Sequence, residues 1–359
     1  MLWNLFCKAI DNYGDIGVCW RLAALLGARG ERVRLWLDQP QPVRWMAPAG
    51  APGVEVVAWT PTSASTAADA GEPGDVVIEA FGCELPAGFL AAMAAAARAG
   101  RAPVWINLEY LTAEAFAERS HGLRSPVLSG PAAGLDKYFF YPGFSPATGG
   151  LLREPDLARR RAAFDRSAWL QAQGIAARDE MLVSLFCYEP ASLPGLLDQL
   201  AAGPRASRLL VTAGRAQAAV RSALADQARA EAGSGALAVT YLPWLTQTDY
   251  DHLLWACDFN FVRGEDSLVR ALWAGKAFAW QIYPQNDGAH AAKLQAFLAC
   301  LAAGEAWQHF HRVWNGLAPG PLPVPDLPAW GAVCVALRAR LESQDDLLSQ
   351  LLGFVRKKR

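Results

Sequence analysis

The sequence predicts an α/β protein with two doubly wound, Rossmann-like domains that face each other across a cleft. Short apolar segments alternate with helical patterns along the chain, which indicates parallel sheets covered by helices on both faces. The 359 residues exceed what one hydrophobic core usually supports, so two domains are expected. A Gly- and Pro-containing stretch at 143–150 and a charged stretch at 153–166 interrupt the alternation, which then starts again.

The first domain is expected at residues 1–165. Its predicted strands are apolar runs at Leu2–Ile10, Val33–Leu37, Asp75–Ala80, Val104–Asn107 and Lys137–Tyr141. Two helical patterns lie between these strands, and each ends before a glycine, the residue type that most often follows a helix. They are Val18–Ala28, before Gly30, and Ala87–Ala97, before Gly100.

The second domain is expected at residues 175–340, followed by a C-terminal helix at 341–359 that can pack back on the first domain. Its predicted strands are Met181–Phe186, Leu209–Thr212, Ala238–Leu242, Phe259–Val262 and Ala277–Ile282. Its predicted helices are Leu193–Ala202, Ala216–Ala232, Thr248–Cys257, Asp266–Ala274 and Ala289–Ala302. Ligands of such sheets bind beyond the carboxyl ends of the strands, so functional residues are expected in the loops that follow them.

The composition excludes several classes of function. The formal net charge of -1 gives no general attraction to nucleic acid or to an anionic membrane, and the basic tail at 356–359 is interpreted as a solvated helix end. No apolar run is long enough to span a membrane. The seven cysteines are scattered and form no C-x-x-C pair, which indicates a reducing compartment without disulfides. A cytoplasmic protein is therefore expected.

The turn DNYGDIG, residues 11–17, follows the first predicted strand and contains two carboxylates. A dinucleotide-binding loop needs the spacing G-x-G-x-x-G, which is absent, and Asp15 would repel a pyrophosphate. Asp11 or Asp15 can instead cap the following helix. Two carboxylates and one Asn in five residues exceed what a cap needs, so we interpret the turn as functional. At a helix start Asp15 is favoured in its ionised form, which can act as a base or bind a cation.

The stretch RGEDS follows a predicted strand of the second domain and is expected to form a turn, with a helix beginning near Ser267. N–H groups at a helix start bind phosphate, Gly264 permits close approach of the main chain, and Arg263 and the Ser267 hydroxyl can add donors. Glu265 is better suited to accept hydrogen bonds from sugar hydroxyls. An ordinary helix capped by Asp266 or Ser267 explains the pattern equally well, and both interpretations stay open.

In FCYEP, Phe186 and Tyr188 alternate at the end of a strand and therefore share one face. Aromatic rings at a strand end can stack on a nucleobase. Packing in the core is the alternative, and it suits Phe186 better than Tyr188. The stretches LPWLTQTDYDHLL and WQIYPQNDGAH add aromatic and amide groups near this end, namely Trp244, Gln247, Tyr283, Gln285 and Asn286.

Metal and thiol chemistry receive little support. Asp249 and Asp251 have the D-x-D spacing of some metal sites, but they open a predicted helix, where capping is the better interpretation. The five histidines do not cluster, and Cys19 and Cys187 lack a neighbouring His. No metal and no cofactor are predicted.

The chain resembles the protein-arginine rhamnosyltransferases that act on bacterial elongation factor P. The resemblance covers the whole chain in order. It rests most strongly on the pairing of DNYGDIG with NFVRGEDSLVRALWAGK, and also on these stretches: FGCELP, WINLEYLTAE, KYFFYPGF, TGGLLRE, LFCYEP and IYPQNDGAHAAKL.

The resemblance implies a glycosyltransferase B-type fold. It implies an inverting, metal-independent enzyme that transfers L-rhamnose from dTDP-β-L-rhamnose to an arginine of elongation factor P. This modification would activate the factor for translation of polyproline stretches. The second domain would bind the nucleotide sugar, and the first would bind the acceptor, through an edge strand or the loops after Phe81 and Glu109.

The resemblance also implies roles for individual residues. By position in the motifs, Asp15 matches the proposed general base, Asp11 an assisting carboxylate and Glu265 a second catalytic carboxylate. The matching donor-binding residues are Asn12, Tyr13, Gly14, Gly17, Phe186, Tyr188, Trp244, Gln247, Arg263, Asp266, Ser267 and Tyr283. Position 244 departs from the family pattern, in which Phe is expected.

Two other classes of function are weighed against this one. The first is another sugar-nucleotide enzyme of the same architecture, such as an epimerase or a small-molecule glycosyltransferase. The second is a non-catalytic nucleotide-binding partner of the translation machinery, although a pure anion binder gains nothing from acids at 11 and 15. An NAD-dependent oxidoreductase fits least, because the glycine spacing is missing.

Overall fold

The computed structural model describes residues 1–9, 13–60, 71–176, 179–228, 237–285 and 288–359. The contacts divide the chain into two compact units. The first unit comprises Met1–Glu154 together with Glu342–Arg359, and the second comprises Pro155–Leu341. Asp11 and Asn12, which belong to the predicted site, lie outside the described residues, as does Asn286.

The first unit contains a seven-stranded sheet with helices on both faces. Its elements are β1 (Leu2–Cys7), α1 (Gly14–Ala28), β2 (Arg32–Leu37), α2 (Val43–Met46), β3 (Val54–Ala58), β4 (Val76–Ala80), α3 (Ala87–Arg98), β5 (Val104–Leu108), α4 (Phe116–Ser120), β6 (Arg124–Pro126) and β7 (Asp136–Phe140). The strand order is β3-β2-β1-β4-β5-β7-β6. All pairs are parallel except β6 with β7. The order reverses between β1 and β4, so this is the switch point at which such sheets bind ligands.

The second unit contains a five-stranded, entirely parallel sheet. Its elements are α5 (Leu157–Ala162), α6 (Arg166–Ala172), β8 (Met181–Leu185), α7 (Leu193–Ala201), β9 (Ser207–Val211), α8 (Arg215–Ala228), β10 (Leu237–Tyr241), α9 (Gln247–Ala256), β11 (Phe259–Arg263), α10 (Gly264–Ala274), β12 (Ala277–Gln281), α11 (Ala289–Cys300), α12 (Glu305–Trp314) and α13 (Leu327–Glu342). The strand order is β10-β9-β8-β11-β12, with the switch point between β8 and β11.

The last helix, α14 (Leu347–Lys358), belongs to the first unit. Asp346 caps it by accepting a hydrogen bond from the Ser349 N–H at 3.1 Å. Its apolar residues recur every three or four positions and are buried in one cluster with residues of α1 and β1. Those residues of α14 are Leu347, Leu348, Leu351, Leu352 and Val355. The segment after the second unit therefore completes the core of the first.

The predicted fold class is confirmed at the level of each unit. All ten predicted strands are present, with ends shifted by one to three residues. The prediction missed β3 and β6, and β6 is antiparallel where only parallel pairing was expected. The helix after DNYGDIG begins at Gly14, four residues earlier than predicted, so Gly14 and Gly17 lie in the first turn of α1 and do not form the turn before it.

Two sequence-based expectations concern the surroundings of the protein. No helix among the described residues combines the length and the apolar character that crossing a membrane requires. All seven cysteines lie in the described part of the chain, and none of them forms a disulfide.

His311 is a buried histidine of the second unit. Its Nε2 accepts a hydrogen bond from the Trp280 N–H at 3.1 Å, and its Nδ1 lies 3.1 Å from the Trp307 carbonyl oxygen. The second contact requires the proton on Nδ1, and the first requires that Nε2 carries none, so the ring is neutral. Burial lowers the pKa of His311 from 6.5 to about 4.

This histidine is expected to destabilise the protein as the pH falls from about 6.5 to about 4. Over that window the unfolded chain binds a proton at this position and the folded chain does not, so acidification favours unfolding. The pKa difference corresponds to a free energy of the order of 3 kcal/mol. Denaturant unfolding across this pH window should show that the free energy of unfolding depends less on pH in His311→Gln than in the wild type. His309→Gln, on the same helix, should keep the wild-type slope, and equal slopes in both variants would contradict the assignment.

Candidate active site

The switch point of the second unit brings together FCYEP and RGEDS. Strands β8 and β11 are parallel neighbours with Leu185 opposite Phe261, so the residues that follow them emerge side by side. The Arg263 guanidinium carbon lies 4.3 Å from the Phe186 ring centroid and 4.6 Å from that of Tyr188. It also donates a hydrogen bond to the Cys187 carbonyl oxygen at 2.7 Å. Phe186 and Tyr188 share a face, as predicted, and both contact a cation there.

The start of α10 differs from the prediction. Strand β11 runs through Arg263, and the helix begins at Gly264, whose φ is 65°, so no five-residue turn separates them. The residue at the N-cap is Arg263, and neither Asp266 nor Ser267 caps the helix. The positive end of the α10 helix dipole therefore lies directly at the end of strand β11.

Ser267 also has a different role from the one predicted. Its hydroxyl donates to the Arg263 carbonyl oxygen and accepts a hydrogen bond from the Arg263 N–H at 3.0 Å. The single hydroxyl proton is thus used within the chain and does not serve as an additional donor for phosphate. Ser267 instead fixes the main chain of Arg263, the residue that carries the positive charge.

Glu265 forms an ion pair that the sequence did not reveal. Its Oε1 lies 2.5 Å from Nζ of Lys293 on α11, and less than one fifth of each side chain is exposed to solvent. The contact holds the carboxylate at the first turn of α10. Lys293 lies in the stretch IYPQNDGAHAAKL, but spacing alone gave no reason to link it with Glu265.

Further aromatic and amide groups surround Tyr188. The Tyr188 N–H donates to Gln281 Oε1 at 2.8 Å, and the Tyr283 ring packs edge-on at 5.7 Å. The Tyr250 ring lies 5.6 Å from Phe186, and burial raises the pKa of Tyr250, which keeps its hydroxyl protonated. Tyr283 was predicted to belong here, whereas Gln281 and Tyr250 were not.

Trp244 lies on the main chain of the turn between β9 and α8. A Cβ atom added to Gly214 would stand 3.2 Å from Cη2 of the indole, so the ring can lie this close only because residue 214 has no side chain. The indole is 49% exposed. Gln247 is the first residue of α9, directly after Thr246, whose hydroxyl caps the helix. Both side chains therefore lie beyond the carboxyl edge of the sheet, as expected.

The D-x-D pair has structural partners. The Asp249 N–H donates to the Thr246 hydroxyl at 3.0 Å, which is a capping interaction. Asp251 forms a buried, two-pronged ion pair with Arg270 at 2.7 and 2.6 Å. Within the described ranges, no three or more His, Cys, Asp or Glu side chains are grouped so that they could hold a metal ion.

In the first unit, Asp15 is the second residue of α1, and only 5% of it is exposed. The N-cap position is Tyr13, so Asp15 is not the cap. Hydrogen bonding to Cys19 and burial raise the pKa of the Cys7 thiol, and burial raises that of Cys19; the Asp15 charge adds to both shifts. Asp15 therefore has uncharged thiols beside it at the positive end of a helix dipole.

A second polar cluster lies across the neighbouring strands β4, β5 and β7. Glu79 accepts hydrogen bonds from Lys137 at 2.5 Å and from the Trp105 indole at 3.1 Å, and burial raises its pKa. Asn107 donates to Glu109 at 2.7 Å, and burial also raises the pKa of Glu109. From the sequence, Glu109 is expected only to precede a loop that binds the acceptor. The cluster thus holds two carboxyl groups, and Lys137 pairs with one of them.

The two loops expected to bind the acceptor meet in space. The Phe81 ring, after β4, stacks on the Tyr110 ring, after β5, with centroids 4.6 Å apart. Phe81 has a φ of 59°, unusual for a residue with a side chain. The stack joins the two loops, with Phe81 buried and Tyr110 partly buried against the same core.

Comparisons with known proteins agree with this arrangement. Residues 3–356 match the family model described as Elongation-Factor P (EF-P) rhamnosyltransferase EarP. A relative from Pseudomonas aeruginosa, named protein-arginine rhamnosyltransferase, is 45% identical, and the match covers 98% of each chain. A relative of the same name from Neisseria meningitidis is 35% identical over 82% of this chain and 77% of its own.

Solved structures give the same result. One, described as the structural basis for EarP-mediated arginine glycosylation of translation elongation factor EF-P, superposes with a TM-score of 0.66 at 30% identity, covering 100% of this chain and 99% of the other. MurG from Acinetobacter baumannii, at 14% identity and a TM-score of 0.51 over 99% of each chain, shares the fold alone. The glycosyltransferase B-type fold class is thereby confirmed. The chain is a glycosyltransferase that belongs to the Elongation-Factor P (EF-P) rhamnosyltransferase EarP family.

Proposed function

We propose that this enzyme transfers L-rhamnose from dTDP-β-L-rhamnose to the guanidino group of one arginine of elongation factor P, with inversion at the anomeric carbon. The family supports a protein arginine as acceptor. The observation that carries the proposal is the Arg263 guanidinium held between two aromatic rings at the start of α10, where a nucleoside diphosphate would bind. The modified factor would then act in cytoplasmic translation of polyproline stretches.

The second unit would bind the donor. A thymidine needs apolar and amide groups around it, and those would come from Trp244, Gln247, Tyr283 and the rings of Phe186 and Tyr188. Arg263, whose main chain Ser267 fixes, and the dipole of α10 would face the diphosphate, and Asp266 would bind the donor from the first turn of the same helix. The Arg263 charge and the helix dipole would stabilise the charge that develops on the departing dTDP, so that the reaction needs no metal ion.

The first unit would bind the acceptor. A guanidinium is protonated at physiological pH, with a pKa above about 12, and its delocalised lone pairs make it a poor nucleophile. A carboxylate does not remove its proton in the ground state. Asp15, assisted by Asp11, would hold the cation and accept the proton as the nitrogen attacks the anomeric carbon. Tyr13, Gly14 and Gly17, at the start of α1, would lie beside this carboxylate and contribute to substrate binding.

Glu265 would serve as the second carboxylate. Its ion pair with Lys293 keeps it in place at the first turn of α10. From there it would accept hydrogen bonds from rhamnose hydroxyls, which fixes the sugar for attack.

The decisive experiment is intact-mass analysis of elongation factor P after incubation with the enzyme and dTDP-β-L-rhamnose. The proposal predicts a gain of one deoxyhexose, retained in the presence of EDTA and absent when the target arginine is replaced by lysine. NMR of the product should show the α-anomer. Consumption of the donor without modification of the protein would favour a small-molecule glycosyltransferase, and no consumption would favour a non-catalytic binder.

Gly214→Ala should weaken dTDP binding several-fold. At a φ of 91°, a side chain strains the turn by about 1–2 kcal/mol, and the new methyl group would push against the Trp244 indole. Isothermal titration with dTDP measures the effect. Gly195→Ala on α7, where an added Cβ meets no atom within 4 Å, is the matched control and should bind as the wild type does. Unchanged affinity in Gly214→Ala would remove Trp244 from the nucleotide site.

A further inference from the structure

Arg215 is a second cation beside Tyr188. It is the first residue of α8, after the short turn that follows β9, and its guanidinium carbon lies 5.0 Å from the Tyr188 ring centroid. The Arg263 guanidinium lies 4.6 Å from the same centroid. Two positive charges therefore share one aromatic ring at the carboxyl edge of the sheet. Because like charges repel, such a pair needs an anion nearby.

Glu189 supplies that anion from within the chain. Arg215 Nε donates to Glu189 Oε1 at 2.7 Å, and Arg215 Nη2 donates to Oε2, so the pair is two-pronged. Arg215 lowers the pKa of Glu189, which keeps the carboxylate ionised. About half of each side chain is exposed, at 41% for Arg215 and 53% for Glu189. Because solvent reaches both side chains and screens their attraction, an incoming anion can compete with the carboxylate for the guanidinium.

The neighbours of Arg215 also belong to the nucleotide end of the sheet. The preceding residue is Gly214, on whose main chain the Trp244 indole rests. On its other side is Tyr188, which contacts Arg263 and Tyr283. Arg215 thus lies beside aromatic groups assigned to the thymidine, and one of them, Tyr188, also contacts the cation assigned to the diphosphate.

We propose that Arg215 is a second cation for the donor's diphosphate and that Glu189 occupies it until the nucleotide binds. The inference rests on the proposed function of the second unit as a nucleotide-sugar site. On binding, a phosphate oxygen replaces the Glu189 carboxylate on the guanidinium, and Glu189 turns to solvent. A guanidinium binds phosphate in the same two-pronged manner as carboxylate, so the exchange keeps the geometry of Arg215.

The test compares the affinities of dTDP, dTMP and thymidine by isothermal titration. Arg215→Met should weaken dTDP binding about tenfold, as expected for a lost charge-assisted contact, and should leave thymidine binding nearly unchanged. Arg221→Met is the matched control, because Arg221 lies on the same helix and also stacks on a tyrosine, Tyr241, at 4.6 Å. It should bind all three ligands as the wild type does.

Glu189→Gln separates the proposal from a purely structural role for the pair. If Glu189 competes with the phosphate, the variant should bind dTDP several-fold more tightly than the wild type. If the pair only supports Tyr188, Glu189→Gln and Arg215→Met should both weaken binding, and thymidine should be affected as much as dTDP. That result would overturn the inference. Absence of dTDP binding to the wild-type enzyme would instead overturn the proposed function.

Discussion

Asp15→Asn is expected to lower kcat for rhamnosylation of elongation factor P by about 10²–10⁴-fold, the usual contribution of a general base. Asparagine keeps the size of the side chain but can neither accept the proton nor balance the charge of the guanidinium. Asp15 is almost fully buried at the start of α1, so its position is set by the helix and should survive this isosteric change. Binding of dTDP-β-L-rhamnose, assigned to the other unit, should change by less than about twofold.

Single-turnover kinetics with saturating donor measure the chemical step directly, and titration with dTDP measures donor binding. Asp136→Asn is a suitable control, because Asp136 is another acid of the first unit and forms a partly exposed ion pair with Arg124. It should retain wild-type turnover. Thermal unfolding of both variants checks that the fold is intact. Turnover in Asp15→Asn close to that of the wild type would rule out Asp15 as the base.

The sequence predicted both sheets because buried parallel strands read as continuous apolar runs. Strand β3 was missed because Glu55, Val56 and Ala58 are exposed, so it has no continuous buried apolar run, and β6 because it has only three residues and ends at Pro126. Both lie at the edges of the first sheet, where one side of a strand is unpaired and the apolar signal is weakest.

The rule that ligands bind beyond the carboxyl ends of the strands predicted that FCYEP and RGEDS carry functional residues, but not what their side chains do there. The order of the strands, which makes the residues after β8 and β11 neighbours, came from the structure. Ser267 turning back to Arg263, and Lys293 reaching Glu265, depend on rotamers and on the packing of α10 and α11. No spacing rule connects Glu265 with Lys293, which are 28 residues apart on different helices, so that contact needed the structure.

Arg263→Lys is expected to lower kcat/KM for dTDP-β-L-rhamnose by about 10²–10³-fold, the range found when one preorganised donor to a developing anion is removed. The substitution keeps the charge. A lysine ammonium, however, has no planar face to lie between Phe186 and Tyr188, and it is more strongly hydrated than a guanidinium. It would therefore not be held at the start of α10 as Arg263 is, through the two rings and the Cys187 carbonyl.

Comparing the affinities for dTDP and thymidine distinguishes the loss of a contact with the diphosphate from a collapse of the whole pocket. If Arg263 acts on the diphosphate, Arg263→Lys should weaken dTDP binding strongly and thymidine binding little. Arg208→Lys is the matched control. Arg208 lies on β9, the strand beside β8, and its guanidinium also forms a two-pronged contact, with the Glu180 carboxylate. That contact lies toward the amino end of the strand, and its variant should retain wild-type kinetics. An equal loss of thymidine and dTDP binding in Arg263→Lys would mean that Arg263 mainly orders the aromatic rings, and the charge that stabilises the leaving group would then have to come from elsewhere in the site.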